Sequence, residues 1–134
     1  MDTYKAGSGT LQILLSTDIS TIGLAGSRAT MFVPGSGVPS IPIAHSVDAT
    51  GDIPVSAIGT PSLLKGKRIS IMSKVDLSIV GDAQAREREY NKIRARYFLD
   101  GGAEHLKAFD VDASDVTHSD DFNTVLIFKA IDII

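Results

Sequence analysis

Apolar and polar residues alternate along two stretches of the chain, residues 68–80 and residues 91–99. Successive side chains of a β-strand point to opposite faces, so a period of two places the apolar set on one face and the polar set on the other. A helix would instead repeat its apolar positions every three or four residues. The pattern therefore predicts a half-buried strand in each stretch.

The second alternating stretch ends in a turn signal, the run Asp100, Gly101 and Gly102. Glycine tolerates the positive φ angles of tight hairpin turns. Residues 104–111 are therefore expected to fold back as an antiparallel partner strand, with Leu106 on its apolar face.

The final stretch, residues 123–134, is apolar on both faces through its first half. It is also rich in β-branched residues, a composition typical of buried strands. We predict a central strand covered on both sides, which would bury the adjacent residues Ile127 and Phe128 together.

The rest of the chain predicts shorter elements. Asp82 is placed as the N-cap of a helix over residues 82–90, which has high helix propensity but no apolar stripe, so the helix should lie on the surface. Four further strands are predicted in the first half, separated by glycine- and proline-containing segments. They are residues 10–16, 28–33, 41–45 and 53–58.

These elements predict the all-β class, as one antiparallel β-sandwich domain over residues 1–134. Seven or eight short strands with frequent turn signals are typical of sandwiches with Greek-key or Ig-like connections. A small closed barrel is the alternative, and a parallel α/β fold is disfavoured because no long amphipathic helix separates the strands. The predicted core residues are Ile71, Val75, Tyr97, Leu99, Leu106, Ile127 and Phe128.

Composition narrows the function classes. The 134 residues contain no cysteine, which excludes thiolate metal sites, thiol nucleophiles and disulfides. No apolar run approaches the ~20 residues that cross a bilayer. The first five residues lack the basic and apolar regions of a signal peptide, so we expect a soluble, uncleaved chain.

An aspartate-rich segment is the candidate metal site. Asp110, Asp112 and Ser114 supply oxygens at positions one, three and five of a calcium-type loop, and Asp121 falls at position twelve. Asp115 stands where such a loop needs glycine, and position twelve lacks the longer glutamate. Calcium is the one cofactor that this pattern suggests. We expect the segment to be a solvated acidic turn and not a calcium site.

A basic stripe, Lys92, Arg94 and Arg96, is the candidate anion site, because all three would share one face of the strand predicted at residues 91–99. Few aromatic side chains accompany it, and the chain is acidic, with a pI near 5.5. Nucleic-acid binding is therefore not expected, and a solvated face or salt bridges between subunits fits better.

No motif identifies a reaction. The three histidines lack the spacing of a metal site, and the glycine-rich stretches lack the lysine of a phosphate-binding loop. No Gly-x-Ser-x-Gly sequence marks a serine nucleophile. We therefore expect that the protein is not an enzyme.

Charge is unevenly distributed, and this suggests the function. Residues 1–64 contain six charged side chains, whereas the remaining 70 residues contain 23. Depletion of charge is typical of interface cores. We expect a structural, assembly or adhesion-type module that acts through protein–protein contacts, including homo-oligomers, and no membrane partner. The alternative is a calcium-assisted or carbohydrate-binding module, although the absence of tryptophan removes the usual stacking platform for sugars.

Overall fold

A computed structural model describes residues 1–134 and shows an all-β sandwich. Two short helices and a single 3-10 turn, Ala113–Asp115, interrupt the strands. The helices are α1 (Pro61–Leu64) and α2 (Ala83–Lys92). The strands are β1 (Asp2–Tyr4), β2 (Ile13–Ser20), β3 (Leu24–Phe32), β4 (Ile41–His45), β5 (Ser56–Gly59), β6 (Arg68–Asp76), β7 (Arg94–Asp100), β8 (Lys107–Asp110), β9 (Val116–His118) and β10 (Thr124–Ile133).

The strands form two separate sheets, not a closed barrel. The larger sheet has the order β1, β10, β6, β3, β4, and β9 pairs with the beginning of β10 on the same edge as β1. The smaller sheet has the order β5, β2, β7, β8. Every strand pair is antiparallel except β1 and β10, which bring the first and last strands together in parallel.

The centre of the larger sheet confirms the period-two prediction. Along β6, Ile69, Ile71 and Val75 are buried in alternation with partly or fully exposed neighbours, and β3 pairs with all nine residues of the strand. The strand ends at Asp76, earlier than expected, because Asp76 caps a turn by accepting the N–H of Ser78 at 2.9 Å. A core of 23 buried hydrophobic side chains lies between the sheets.

The β7–β8 hairpin forms, but with a longer connection than the glycines suggested. Leu99 pairs with Lys107 and Tyr97 with Phe109, so Phe109 fills the inward position and Leu106 is 66% exposed. The buried Tyr4 hydroxyl holds the connection, donating to the His105 carbonyl at 2.5 Å and accepting the Gly102 N–H at 2.9 Å. The predicted burial of Leu106 is wrong because this contact with β1, distant in sequence, sets the loop.

The last strand is covered on one face only. Along β10 the inward positions from Val125 to Ile133 are buried, whereas Phe128, on the outer face, is 50% exposed. No element packs over Phe128, which lies beside Met72 of β6 on the open face. The prediction of a strand covered on both sides is therefore wrong, and so is the predicted burial of Phe128, whereas the predicted burial of Ile127 is confirmed.

The predicted helix is confirmed as α2. The Asp82 carboxylate accepts the N–H of Ala85 at 2.8 Å, as an N-cap does. The helix continues to Lys92, which shortens the following strand and removes Lys92 from it. In the first half, β4 matches its prediction, β2 and β3 are shifted or longer, and β5 begins at Ser56 instead of residue 53. The elements β1 and α1 of this half, and β9 of the second half, lacked a recognisable signal.

One side of the sandwich is closed by the segment between β4 and β5. Its Ile53 is buried and donates its N–H to Thr17 Oγ1 at 2.7 Å. Asp52 accepts the Ile19 N–H at 2.7 Å, and Ala49 accepts the Ala25 N–H at 2.8 Å. The segment is thus bonded to both sheets. On the opposite side the chain crosses from β8 to β9 through residues 111–115, and Lys129 of β10 donates hydrogen bonds to Asp110 and Asp115.

Adjacent residues of β10 provide a test of these faces. Ile127→Ala leaves a void in the core and is expected to lower the free energy of unfolding by about 2 to 5 kcal/mol. Phe128→Ala, on the open face, should cost less than about 1 kcal/mol. Urea denaturation followed by circular dichroism measures both, and equal losses would contradict the assigned faces.

Candidate interaction surfaces and the buried lysine

Lys129 is the one charged side chain buried among the inward residues of β10, with 3% of its side chain exposed. Its Nζ donates to the Asp2 carboxylate at 2.6 Å, to the Asp110 carbonyl at 2.6 Å and to Asp115 Oδ2 at 3.4 Å. These acceptors match the three N–H bonds of an ammonium group. The lysine therefore connects β1, β10 and the segment that leaves β8.

The carboxylates keep this lysine charged. Burial lowers the pKa of Lys129. The hydrogen bond to Asp2 and the negative charges of Asp115 and Asp2 together raise it by more than burial lowers it, so the pKa lies above its ordinary value. A cation without partners at this position would lose its proton instead. The cluster is therefore an ion-pair network at neutral pH.

A second polar connection crosses between the sheets. Ser27 Oγ and Ser73 Oγ are 2.7 Å apart, and Ser73 Oγ lies 3.1 Å from the Tyr97 hydroxyl. Burial raises the pKa of the Tyr97 hydroxyl above its ordinary value, although the hydrogen bond with Ser73 opposes the shift. Every buried side-chain polar atom has a hydrogen-bond partner within the protein.

The open side of the sandwich contains a cleft of about 550 Å³. The cleft exists because β7 begins at Arg94, two residues before Arg96, whereas β8 ends at Asp110, the partner of Arg96. The first residues of β7 thus pair with β2 on one side and with no strand on the other. The wall and floor are mainly apolar, and Arg94, Arg96, Asp110 and Asp112 line the polar part. The principal apolar lining residues are Ile93, Ala95, Val111, Val116, Val125 and Ile127.

The basic stripe is not a single strand face. Lys92 ends α2 and pairs with Glu89 at 3.2 Å, while Arg94 and Arg96 are the exposed residues of β7. Arg94 donates to the carbonyls of Asn91 and Ile93, and Arg96 pairs with Asp110 at 3.2 Å. The prediction that all three residues share one strand is wrong, because the helix extends through Lys92.

The structure gives each residue of the aspartate-rich segment a separate place. Asp110 is the last residue of β8, and Asp121 lies in the β9–β10 turn. Asp112 precedes the 3-10 turn and donates its N–H to Asp115, and Ser114 is exposed within that turn. The pKa of Asp121 is lowered by hydrogen bonds from the Asn123 N–H and the Ser119 hydroxyl. No three histidine, aspartate or glutamate side chains converge on a point that would hold a metal ion.

The sequence analysis missed the buried lysine, Lys129, and its two carboxylate partners, Asp2 and Asp115. Lys129 occupies the inward position between Ile127 and Ile131, and that placement was the available signal. A lysine on the buried face of a strand requires acidic partners, because an unpaired buried charge is costly. The alternation did not reveal which aspartates these would be.

An aromatic cluster lies beside the cleft and shares Tyr90 with its lining. The rings of His118 and Phe122 stack with centroids 4.3 Å apart, and Tyr90 of α2 contacts both, at 4.8 Å and 5.3 Å. The Arg86 guanidinium reinforces the contact by donating to the Asp121 carbonyl at 2.8 Å. His118 therefore packs α2 against the β9–β10 turn.

Exposed apolar side chains are concentrated in the first half. Fourteen large hydrophobic side chains are exposed, and ten of them lie in residues 1–64. Residues 33–42, which are the β3–β4 connection and the first two residues of β4, are exposed without interruption. The ten are Met1, Leu11, Ile22, Leu24, Val33, Val38, Ile41, Val47, Val55 and Leu63.

Comparison of the chain with protein-family models, curated proteins and solved structures found no match. None of the helices has the length and apolar character needed to cross a membrane.

The stability of the protein at alkaline pH tests the raised pKa of the buried Tyr97 hydroxyl. A group whose pKa is raised by folding contributes stability below its unfolded pKa and loses that contribution as the pH rises through the folded value. Tyr97, Tyr4 and Lys129 all have raised pKa values, so the free energy of unfolding should fall as the pH rises above about 10. Tyr97→Phe should cost about 1 kcal/mol at neutral pH.

The same variant should show a smaller alkaline loss than the unmodified protein, because one of the three titrating groups is gone. Urea denaturation at a series of pH values measures the difference. Parallel curves for the two proteins would contradict the role of Tyr97.

Proposed function

We propose that the protein is a noncatalytic module that acts through protein–protein contacts, as a structural, assembly or adhesion-type component that associates with copies of itself. The observation that carries the proposal is the concentration of exposed apolar side chains in residues 1–64. These residues contain only six charged side chains, so few charges oppose burial of that surface against another chain.

The β3–β4 region supports the proposal most directly. Val33, Val38 and Ile41 are 45%, 67% and 55% exposed within one uninterrupted exposed segment. The segment is anchored at both ends by paired strands, which limits the entropy lost on binding. β4 is also the last strand of its sheet, and an edge strand offers backbone groups to a strand of another chain.

Replacement of two apolar side chains tests this surface. The double variant Val38→Lys and Ile41→Lys should shift an oligomer toward the monomer, because each lysine would have to be desolvated in the contact. Size-exclusion chromatography with light scattering measures the mass over a range of concentrations.

The matched control is the double variant Ile79→Lys and Leu106→Lys, which changes two exposed apolar residues of the second half. It should associate like the unmodified protein. A mass of one chain for the unmodified protein at every concentration, or equal loss of association in both double variants, would overturn the proposal.

The cleft favours a second candidate from another class, a ligand-binding module. Its volume, about 550 Å³, is within the range of small-molecule sites, and it combines apolar walls with a few polar groups. Tyr90 is the one aromatic residue in its lining, so a sugar ring would have a single stacking surface. The calcium-assisted and carbohydrate-binding forms of this candidate give different results on titration.

Calcium and glycans separate these forms. We expect millimolar calcium to leave the melting temperature unchanged, because Asp110, Asp112 and Asp121 are placed apart and two of their carboxylates already have partners. A rise of several degrees that Asp112→Ala abolishes would contradict this expectation and favour calcium assistance. Calorimetric titration with a glycan panel tests the carbohydrate form, for which heat lost in Tyr90→Ala would be the supporting result.

A further inference from the structure

The buried lysine cluster has the composition of a self-condensing site. Lys129 Nζ lies 2.6 Å from a carboxylate oxygen of Asp2 and 3.4 Å from Oδ2 of Asp115. An amine, a carboxyl group that it touches, and a second carboxylate beside the amine are the three groups that amide formation requires. We propose that Lys129 and Asp2 condense to form an intramolecular amide bond, with Asp115 transferring protons.

The reaction balances without a co-reactant. Nζ attacks the carboxyl carbon of Asp2, the new C–N bond forms, and the C–O bond to the departing hydroxyl breaks. Asp115 accepts a proton from the attacking nitrogen and delivers it to the departing oxygen, which leaves as water. An ammonium and a carboxylate are thus replaced by one neutral amide and one water molecule, and Asp115 ends in its original charge state.

The resting cluster is an ion pair, and condensation passes through its proton-shifted form. The ammonium has three acceptors, and the carboxylates raise the pKa of Lys129, so the amine must first give a proton to the Asp2 carboxylate that already accepts its hydrogen bond. That transfer creates the free amine and the neutral carboxyl group together. The second carboxylate, Asp115, then remains available as the base.

Proximity and burial favour the product. Groups held in contact by a fold react with effective concentrations far above those of separate molecules. Lys129 is 3% exposed, and its buried charge carries a desolvation cost that a neutral amide does not. Asp2, at 43% exposure, lies toward solvent, which gives the released water a way out.

The bond would join the first strand to the last. β1 has only three residues and pairs with β10 alone. A link from residue 2 to residue 129 closes a loop that contains almost the whole chain, and such links restrict the unfolded state strongly. This inference is independent of the proposed contact function.

Intact-mass spectrometry of the purified full chain tests the proposal. The unmodified protein should be lighter than its sequence by one water molecule, either as purified or after one week in folded form. Trypsin should then yield a branched peptide joining residues 1–5 to residues 108–134, because an acylated Lys129 is not cleaved.

Three variants give the mechanism its controls, each compared with the mass calculated for its own sequence. Lys129→Arg retains the charge but should show no loss, which also controls for processing of the chain ends. Asp115→Asn should fold, as judged by circular dichroism, yet remain uncondensed. Asp2→Asn should lose ammonia in place of water and reach the same final amide as the unmodified protein.

A full sequence mass for the unmodified protein after the week, with no branched peptide, would overturn the proposal and leave the cluster as an ion pair only. A mass loss that persists in Lys129→Arg would overturn it as well. If Asp115→Asn fails to fold, the contrast between Lys129→Arg and Asp2→Asn still decides the outcome.

Discussion

The ammonium group of Lys129 is the interaction on which the edge of the sandwich depends. A charge buried on the inner face of a strand is tolerated only if groups that accept its hydrogen bonds and balance its charge lie beside it. Meeting this requirement brings Asp2, Asp115 and the Asp110 carbonyl to one point, and so places β1 and the segment after β8. Removing the lysine would take the neighbouring cation away from both carboxylates.

The two sides of the sandwich are therefore held by different forces. Residues 46–55 close one side with backbone hydrogen bonds and the buried side chain of Ile53. On the other side the sheets are tied through the lysine cluster, and the chain passes from β8 to β9 without pairing with the start of β7. The cleft is the consequence of this passage, and the Arg96–Asp110 ion pair lies in its lining.

The surface is divided in a similar way. The second half carries most of the charge, and five basic residues there already pair with carboxylates. The first half carries most of the exposed apolar side chains. Covering exposed apolar side chains with another chain lowers the free energy, because apolar surface is removed from water. Covering exposed ion pairs lowers it little. This difference, and not a catalytic group, is what supports a contact function.

Local sequence determined the elements whose signals lie within a few residues. The alternation around Ile71 and Tyr97 specified strands with these side chains inward, and Asp82 marked the start of α2. Alternation states which side chains share a face, but it does not state what covers that face. The sequence therefore predicted the sandwich class and the burial of five of the seven core residues named from it. The candidate metal and anion residues were grouped only by their spacing along the chain.

Only the tertiary structure decided the rest, because the deciding contacts join residues far apart in the chain. Ile127 and Phe128 are equally apolar, and only the presence of the second sheet on one side of β10 buries one and exposes the other. Leu106 is exposed because Tyr4, about a hundred residues earlier, holds the preceding loop. Lys129 and Asp2 meet because β1 and β10 are neighbours in the sheet, and no local pattern encodes that parallel pairing.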